Sequence, residues 1–355
     1  MLKTADWHKG ENMRVKKIGI VSLSSGVMGE NFVKHELDIG LERLKQFGVE
    51  VEFLPHALKG LEFIKNHPES RAQDLLAAFM DDSIDMILCA IGGEDTYRLL
   101  PYLFENDALQ KVAKQKIFLG FSDTTMNHFM LHKVGLKTFY GQAFLPDICE
   151  LSSEMLPYTR QYFEELLTRG EIKEIQPSQV WYQEREDFSE NAIGKEMTSY
   201  LNTGFELLKG QPIFKGKILG GCLDSMYDIF DNSRFSDTVS LCAKYDLFPK
   251  LDDWKGKILL LETSEERPTP LLFRKMVGAL KDYGIFDVVT GVLVGKPQDE
   301  TYYGDYKSIL LEELGDKNLS LVYNVNIGHA TPRCIIPFGV EAEVNVEKQV
   351  IAFNN

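Results

Sequence analysis

Along the first third of the chain, short apolar runs repeatedly end in a turn of small residues and give way to helical periodicity, an order few folds accept. The run 17–23 stops at Ser24-Ser25-Gly26, and residues 32–47 then have the spacing of a helix that Gly48 can end. Residues 49–54 predict a second strand and 70–81 a second helix. The run 85–91 predicts a third strand, apolar enough to lie centrally in a parallel sheet. Gly92-Gly93-Glu94-Asp95 follows at once, then a helix over 96–103. The run 117–120 passes through Phe121-Ser122-Asp123 into a helix over 125–134 that Gly135 can terminate. The alternation predicts a doubly wound α/β domain. In such sheets ligands bind beyond the carboxyl ends of the strands, so the turns at Ser24, Gly92 and Ser122 converge on one crevice.

Further along, 137–141 reads as a strand and 156–169 as a helix. The polar stretch 171–210, with a lone Trp181-Tyr182, is expected as a linker and mobile surface loop. A second unit then alternates strands (217–221, 257–262, 288–294, 319–325) with helices (223–230, 270–283, 306–314), and 341–346 and 350–353 alternate like an exposed hairpin. The expected organisation is an N-terminal extension, 1–16; a first α/β domain, 17–169; a linker and loop, 170–210; and a C-terminal domain, 211–355. A chain of 355 residues can bury two such cores.

Charge narrows the partners. A net charge of −14 with no basic cluster argues against nucleic acid. No run of 18 apolar residues occurs, and 1–17 lacks the apolar core of a signal peptide, so no membrane partner is expected and the cytoplasm is the expected location; Met13 is an alternative start. Cys89, Cys149, Cys222, Cys242 and Cys334 are odd in number and widely spaced, which reads as reduced, buried thiols with no zinc or redox pair.

Ser122 sits at a strand-to-helix corner. That position suits either a helix N-cap or a nucleophile whose oxyanion forms near the positive end of a helix. A nucleophilic serine needs a histidine base and a carboxylate to orient it. His8, His35, His56, His67, His128 and His132 lie in polar N-terminal sequence, in helices or beside helix ends. His329 instead follows a strand, in a tight loop marked by Gly328 and Pro332, and is either an idle loop histidine or that base. Glu262 ends an apolar strand and is either a solvated strand end or the orienting acid. His128 and His132 stand four apart as in HExxH, but the glutamate that motif requires after the first histidine is absent, and a partly buried helical pair is expected. Gly92-Gly93-Glu94-Asp95 matches no phosphate loop, and its acids would repel phosphate; its use is as a source of backbone N–H groups. The corner also departs from the GxSxG elbow, with Thr124 where the second Gly belongs.

Taken together, residues 90–102, 120–125, Tyr140-Gly141-Gln142, 219–225, 259–262 and 328–332 resemble the LD-carboxypeptidase family of serine peptidases, closest to its MccF-like, microcin-immunity branch. The resemblance runs from Ile18 to the end. It implies a flavodoxin-like domain holding the nucleophile and a smaller C-terminal α/β domain supplying Glu and His, with the site between them. It implies a Ser122–His329–Glu262 triad, an oxyanion hole from the N–H groups of Gly93 and Asp123, no metal or other cofactor, and a homodimer. Gly92, Glu94, Asp95, Arg98, Trp181 and Thr331 fall at substrate-binding positions. Trp181 is either a stacking surface for a nucleotide or an aromatic packed on the domain, and Arg98 either binds a substrate carboxylate or is tied in a local ion pair.

Departures from the branch touch substrate choice: Glu94 stands for Asp, Cys222 for Asn and Thr331 for a second His. The expected activity is hydrolysis of an amide bond in a small peptide or peptidyl-nucleotide through an acyl-enzyme. The alternatives are a murein tetrapeptide LD-carboxypeptidase and a non-catalytic small-molecule binding protein.

Overall fold

In the computed structural model, which describes residues 14–354, the early apolar runs pair as parallel strands. They are β1 (Lys17–Val21), β2 (Glu50–Phe53), β3 (Met86–Cys89), β4 (Ile117–Gly120) and β5 (Thr138–Tyr140). Their order, β2-β1-β3-β4-β5, is the flavodoxin-like one, with β3 central and fully buried. The intervening helices begin and end where turn chemistry dictates. Helix Lys34–Phe47 stops at Gly48, which takes the left-handed conformation and returns its N–H to the last turn. Helix Pro68–Met80 starts on a proline that has no N–H to waste. The helix expected over 96–103 is instead a 3₁₀ turn, Thr96–Leu99, followed by an α-helix, Leu100–Phe104, whose first turn carries Pro101. Helix Thr125–Lys133 follows the Ser122 corner directly. His8 and Met13 lie outside the described residues.

Eleven further strands follow: β6 (Glu174–Ile175), β7 (Val180–Tyr182), β8 (Ser199–Leu201), β9 (Glu206–Lys209), β10 (Ile213–Cys222), β11 (Ile258–Glu262), β12 (Gly291–Gly295), β13 (Ser320–Val325), β14 (Ile336–Phe338), β15 (Glu341–Asn345) and β16 (Val350–Asn354). Eight of them form a second sheet in the order β6-β16-β15-β10-β11-β12-β13-β9. Strands β10 to β13 are parallel there and buried on both faces, with mostly apolar side chains, which is why 257–262 and 319–325 read as strands. Strand β10 is longer than its apolar end predicts. Its first half pairs antiparallel with β15 and its second half parallel with β11, which sets Cys222 opposite Glu262.

Two features depart from the expected organisation. Residues 170–210 supply β6 and β9 to the edges of the second sheet and a separate β7–β8 hairpin, so this stretch is ordered by partners that are remote in sequence. Edge strands with one wet face tolerate the polar composition that reads as a loop. Strand β14, from the C-terminal half, crosses over to pair antiparallel with β5, Ile336 opposite Tyr140, and closes the first sheet. One apolar core runs through both sheets, from Ile18 and Ile20 to Leu321 and Val322. The carboxyl ends of β4, β5, β11 and β13 all lead into the site described next.

Candidate active site

The chain leaves β4 at Gly120 and turns so sharply that Ser122 takes φ +64°, a left-handed conformation costly for any residue with a Cβ. Local bonds hold it there. The Ser122 N–H donates to Tyr140 Oη at 3.1 Å, and its carbonyl accepts from Thr125 Oγ1 at 2.7 Å. Ser122 is 8% exposed, with Oγ turned toward the second sheet.

His329 meets it from the loop after β13. Its Nε2 lies 3.0 Å from Ser122 Oγ and its Nδ1 2.7 Å from Glu262 Oε2, so Nδ1–H donates to the carboxylate and Nε2 faces the serine. The other oxygen of Glu262, Oε1, accepts from Tyr140 Oη at 2.6 Å. A side chain at Gly328, which sits at φ +89°, would overlap Glu262. Arg333 clamps the loop. Its Nε donates to Gly328 O at 2.7 Å and its guanidinium pairs with buried Asp147 at 2.8 Å, while it also lies over Phe121, whose edge packs on His329. Burial alone would lower the His329 pKa, but the Glu262 charge and hydrogen bond, reinforced by Glu265, outweigh it and raise it to about 10.

The glycine turn after β3 closes the other side. A Cβ on Gly92 would come within 2.6 Å of Ser122 Oγ and 3.4 Å of the Asp123 nitrogen, so this backbone lies against the serine. Gly93, at φ +154°, has room for no side chain beside Ser24. The buried Asp123 carboxylate gathers the three turns, accepting from Ser24 Oγ and from the Thr96 N–H at 2.9 Å. Asp95 is fixed by fully buried Arg71 at 2.6 Å, and Arg71 also donates to the carbonyls of Leu23 and Ser24.

The remaining candidates are less free than their sequence positions suggest. Glu94 is exposed and pairs with Arg234 at 3.1 Å. Arg98 lies 3.5 Å from Asp95 and 3.4 Å from Asp237, over the rings of Tyr97 and Phe235. Trp181 is 8% exposed, stacked on Tyr200 at 4.6 Å, with the Lys296 ammonium 5.2 Å from its ring. Thr331 is buried. Its carbonyl accepts from the Tyr182 N–H, and its hydroxyl donates to Glu184, which ties the β7–β8 hairpin to the His329 loop. His128 is structural: fully buried, it bonds Thr138 Oγ1 at 2.7 Å and Gly120 O at 3.1 Å, and burial lowers its pKa to about 4. His35, His56 and His67 bond Phe188 O, Asp74 and Glu69.

Four contributors were not read from the sequence as site residues: Ser24 in its hydrogen-bonding role, Tyr140, Arg333 and Glu265. Tyr140 and Ser24 stand at strand ends, a signal that could have found them, whereas nothing distinguishes Glu265 from the acids around it. The fold also brings ligand atoms of Cys222, Glu262 and His329 within 4.8 Å, a grouping no sequence spacing announces. Glu262 and His329 are bonded to each other there, and burial pushes the Cys222 thiol well up.

Among the described residues no helix is long and apolar enough to cross a membrane. The profile of the LD-carboxypeptidase N-terminal domain matches residues 18–141, and that of the LD-carboxypeptidase C-terminal domain matches 215–344. The chain is 67% identical to an MccF-like protein from Streptococcus pneumoniae, crystallised in complex with AMP, over 96% of this chain and 99% of that one, with a TM-score of 0.95. It is 26% identical over 290 residues to the microcin C7 self-immunity protein MccF of Escherichia coli, covering 80% of this chain and 78% of that protein. It is also 26% identical over 321 residues to a probable murein peptide carboxypeptidase of Bacillus subtilis, covering 88% and 85%.

Proposed function

The chain belongs to the LD-carboxypeptidase family and is a serine carboxypeptidase-type hydrolase; from that premise we propose that it hydrolyses the amide bond of a peptidyl- or aminoacyl-nucleotide through an acyl-enzyme. The observation that carries the mechanism is the unbroken chain of hydrogen bonds from Ser122 Oγ through His329 to Glu262. The substrate class rests on the likeness to the AMP-bound Streptococcus pneumoniae protein.

In this reading Ser122 Oγ attacks the acyl carbon while His329 Nε2 takes its proton, and Glu262 holds the imidazole in the required tautomer. The N–H groups of Gly93 and Asp123 stabilise the tetrahedral oxyanion, whose charge develops beside the start of helix Thr125–Lys133. His329 then passes the proton to the leaving nitrogen, and water repeats the sequence on the ester. Gly92 contributes by leaving space, because any side chain there would overlap Oγ. The Ser122 N–H is committed to Tyr140, which supports assigning the donor role to the next amide, that of Asp123. Glu94, Asp95, Arg98, Trp181 and Thr331 bound the entrance, with Asp95 and Arg98 acting through the walls they brace. A homodimer working in the cytoplasm belongs to the same reading, and sedimentation equilibrium tests the dimer.

Cleavage of a murein tetrapeptide is the second reading, supported by the likeness to the Bacillus subtilis protein. Rates on a peptidyl-aminoacyl-nucleotide and on a murein tetrapeptide, measured side by side, decide between the two. Turnover of the nucleotide substrate at the higher kcat/KM is expected; turnover of the tetrapeptide alone would reverse the assignment.

A further inference from the structure

Beyond Glu262 the chain turns through Thr263 and Ser264. The Ser264 N–H and hydroxyl both donate to Asp224, at 3.0 and 2.8 Å, so the turn is pinned. It directs Glu265 back into the site, where Oε2 lies 3.0 Å from His329 Nε2. That nitrogen is the one facing Ser122 Oγ, also at 3.0 Å. The Glu265 side chain is 64% exposed while that of His329 is 9% exposed, so the carboxylate is the member free to move.

The two contacts conflict chemically. To accept the proton of Ser122, Nε2 must offer a lone pair, whereas a carboxylate against it requires Nε2 to carry a hydrogen. With Glu265 in place, His329 has a carboxylate at each nitrogen and is held as the imidazolium. The shifts agree in direction: the His329 hydrogen bond and charge bring Glu265 down to about 2 as His329 rises to about 10. The other ionisable groups near the imidazole offer no relief. Asp224, from helix Leu223–Asp228, and Cys222, at the end of β10, are acids, and Arg333 is committed to Asp147. Of the cations around the turn, Arg234 is already shared among Glu94, Asp228 and Glu266, and Arg267, whose N–H closes the turn on Ser264 O, is paired with Asp299. Once Glu265 leaves His329, both of these arginines are already engaged by other carboxylates.

We propose that Glu265 is a specificity-determining residue that receives an ammonium group on the acyl half of the substrate. The contact made with His329 in the free enzyme is exchanged for that ammonium when the substrate enters. Glu265 Oε2 and Ser122 Oγ each lie 3.0 Å from the same nitrogen, so a cation that takes the place of His329 on Glu265 sits close to the scissile carbonyl. The α-ammonium of an aminoacyl group has that placement. With the carboxylate gone, the imidazolium gives up its Nε2 proton to water, and the exchange frees Nε2 to act as base only when such a group is present, which couples recognition to activation. This assignment rests on the proposed hydrolysis of an acyl amide at Ser122, not on the nucleotide half of that substrate, and within that proposal it favours an aminoacyl-nucleotide, whose α-nitrogen is a free ammonium, over a peptidyl-nucleotide, whose α-nitrogen is an amide.

Two measurements on the full chain test it. The first is kcat/KM for an aminoacyl-sulfamoyl adenosine and for its N-acetylated counterpart, in the unsubstituted enzyme and in Glu265→Gln. The unsubstituted enzyme is expected to favour the free amine by about tenfold or more, the value of one charge-assisted hydrogen bond, and Glu265→Gln to bring the ratio within about twofold. The same preference in both proteins overturns the proposal. The second is NMR of the His329 ring nitrogens on titration with L-alaninamide and with N-acetyl-L-alaninamide. Only the ammonium-bearing amide is expected to release His329 toward its neutral form, and only while Glu265 is present; an equal response to both amides also overturns it. Should the enzyme turn over neither nucleotide, the proposed function falls, and the alaninamide comparison alone decides the role of Glu265.

Discussion

Tyr140 donates its hydroxyl hydrogen to Glu262 Oε1 across 2.6 Å, a bond that runs from β5 of the first sheet to the end of β11 in the second. The Tyr140 hydroxyl oxygen also accepts the Ser122 N–H at 3.1 Å. One phenol thus fixes the backbone of Ser122 and the carboxylate that bonds His329. Burial and the Glu262 charge keep that phenol protonated, pushing its pKa well above the usual value.

Tyr140→Phe is therefore expected to lower kcat by about tenfold, the effect of one lost hydrogen bond to a charged group. It should also cost about 1–3 kcal/mol of stability, since the buried Ser122 N–H loses its acceptor. Steady-state kinetics and urea denaturation of the same preparation read both effects. An unchanged kcat would mean that Glu262 is held adequately by His329 alone.

At Ser122 the role proposed for its side chain and backbone comfort oppose each other, because φ +64° suits glycine. Ser122→Ala and Ser122→Gly should both lose about 10⁴-fold or more in kcat. The glycine variant should be the more stable of the two by about 1 kcal/mol, which thermal melts can resolve. If the alanine variant melted higher, the corner would not be strained.

Gly93→Ala places a Cβ against Ser24 at a φ that side chains rarely adopt. The turn must shift, and with it the N–H assigned to the oxyanion. The expected loss is about 10²- to 10³-fold, falling on kcat rather than on KM, because the donor matters most once charge has developed. A variant that kept kcat and lost only substrate affinity would move Gly93 from oxyanion donor to binding wall.

His128 makes a pH prediction. Its pKa is lowered by burial from 6.5 to about 4, so between those values the unfolded chain holds a proton that the folded chain does not. Stability must then fall as pH drops through that window, with the full effect, about 3 kcal/mol, reached near pH 4. Denaturant titrations at several pH values should give a shallower decline for His128→Asn than for the unsubstituted protein. Parallel curves would show that the histidine is not held neutral.

Reading the chain in order recovers the first sheet well. The runs at 17–23, 85–91 and 117–120 are apolar because parallel strands are buried on both faces, and β1, β3 and β4 are where those runs predict. Residues 170–210 carry no such runs. Strands β6 and β9 exist because β16 and β13 offer them edges, and no local pattern encodes a partner more than a hundred residues away. Trp181, equally open in sequence to a stacking or a packing role, is packed between Tyr200 and Lys296. Arg98, read either as a carboxylate binder or as a local ion pair, lies beside Asp95 and Asp237.

What the sequence determined by itself is the set of parts: a serine at a strand-to-helix corner, a histidine in a Gly-Pro loop after a strand, a glutamate closing an apolar strand, and a glycine turn able to lie against a nucleophile. Turn residues and periodicity act over a few positions, so those features survive without the rest of the molecule. Only the tertiary structure decided that Ser122 and His329, 207 positions apart, would come within 3.0 Å of each other, because that distance depends on how two sheets pack through β14 and the shared core. It alone also set Glu265 on the same nitrogen. A carboxylate three residues beyond Glu262 looks in sequence like any other surface acid, and acquires its meaning from a turn pinned by Asp224.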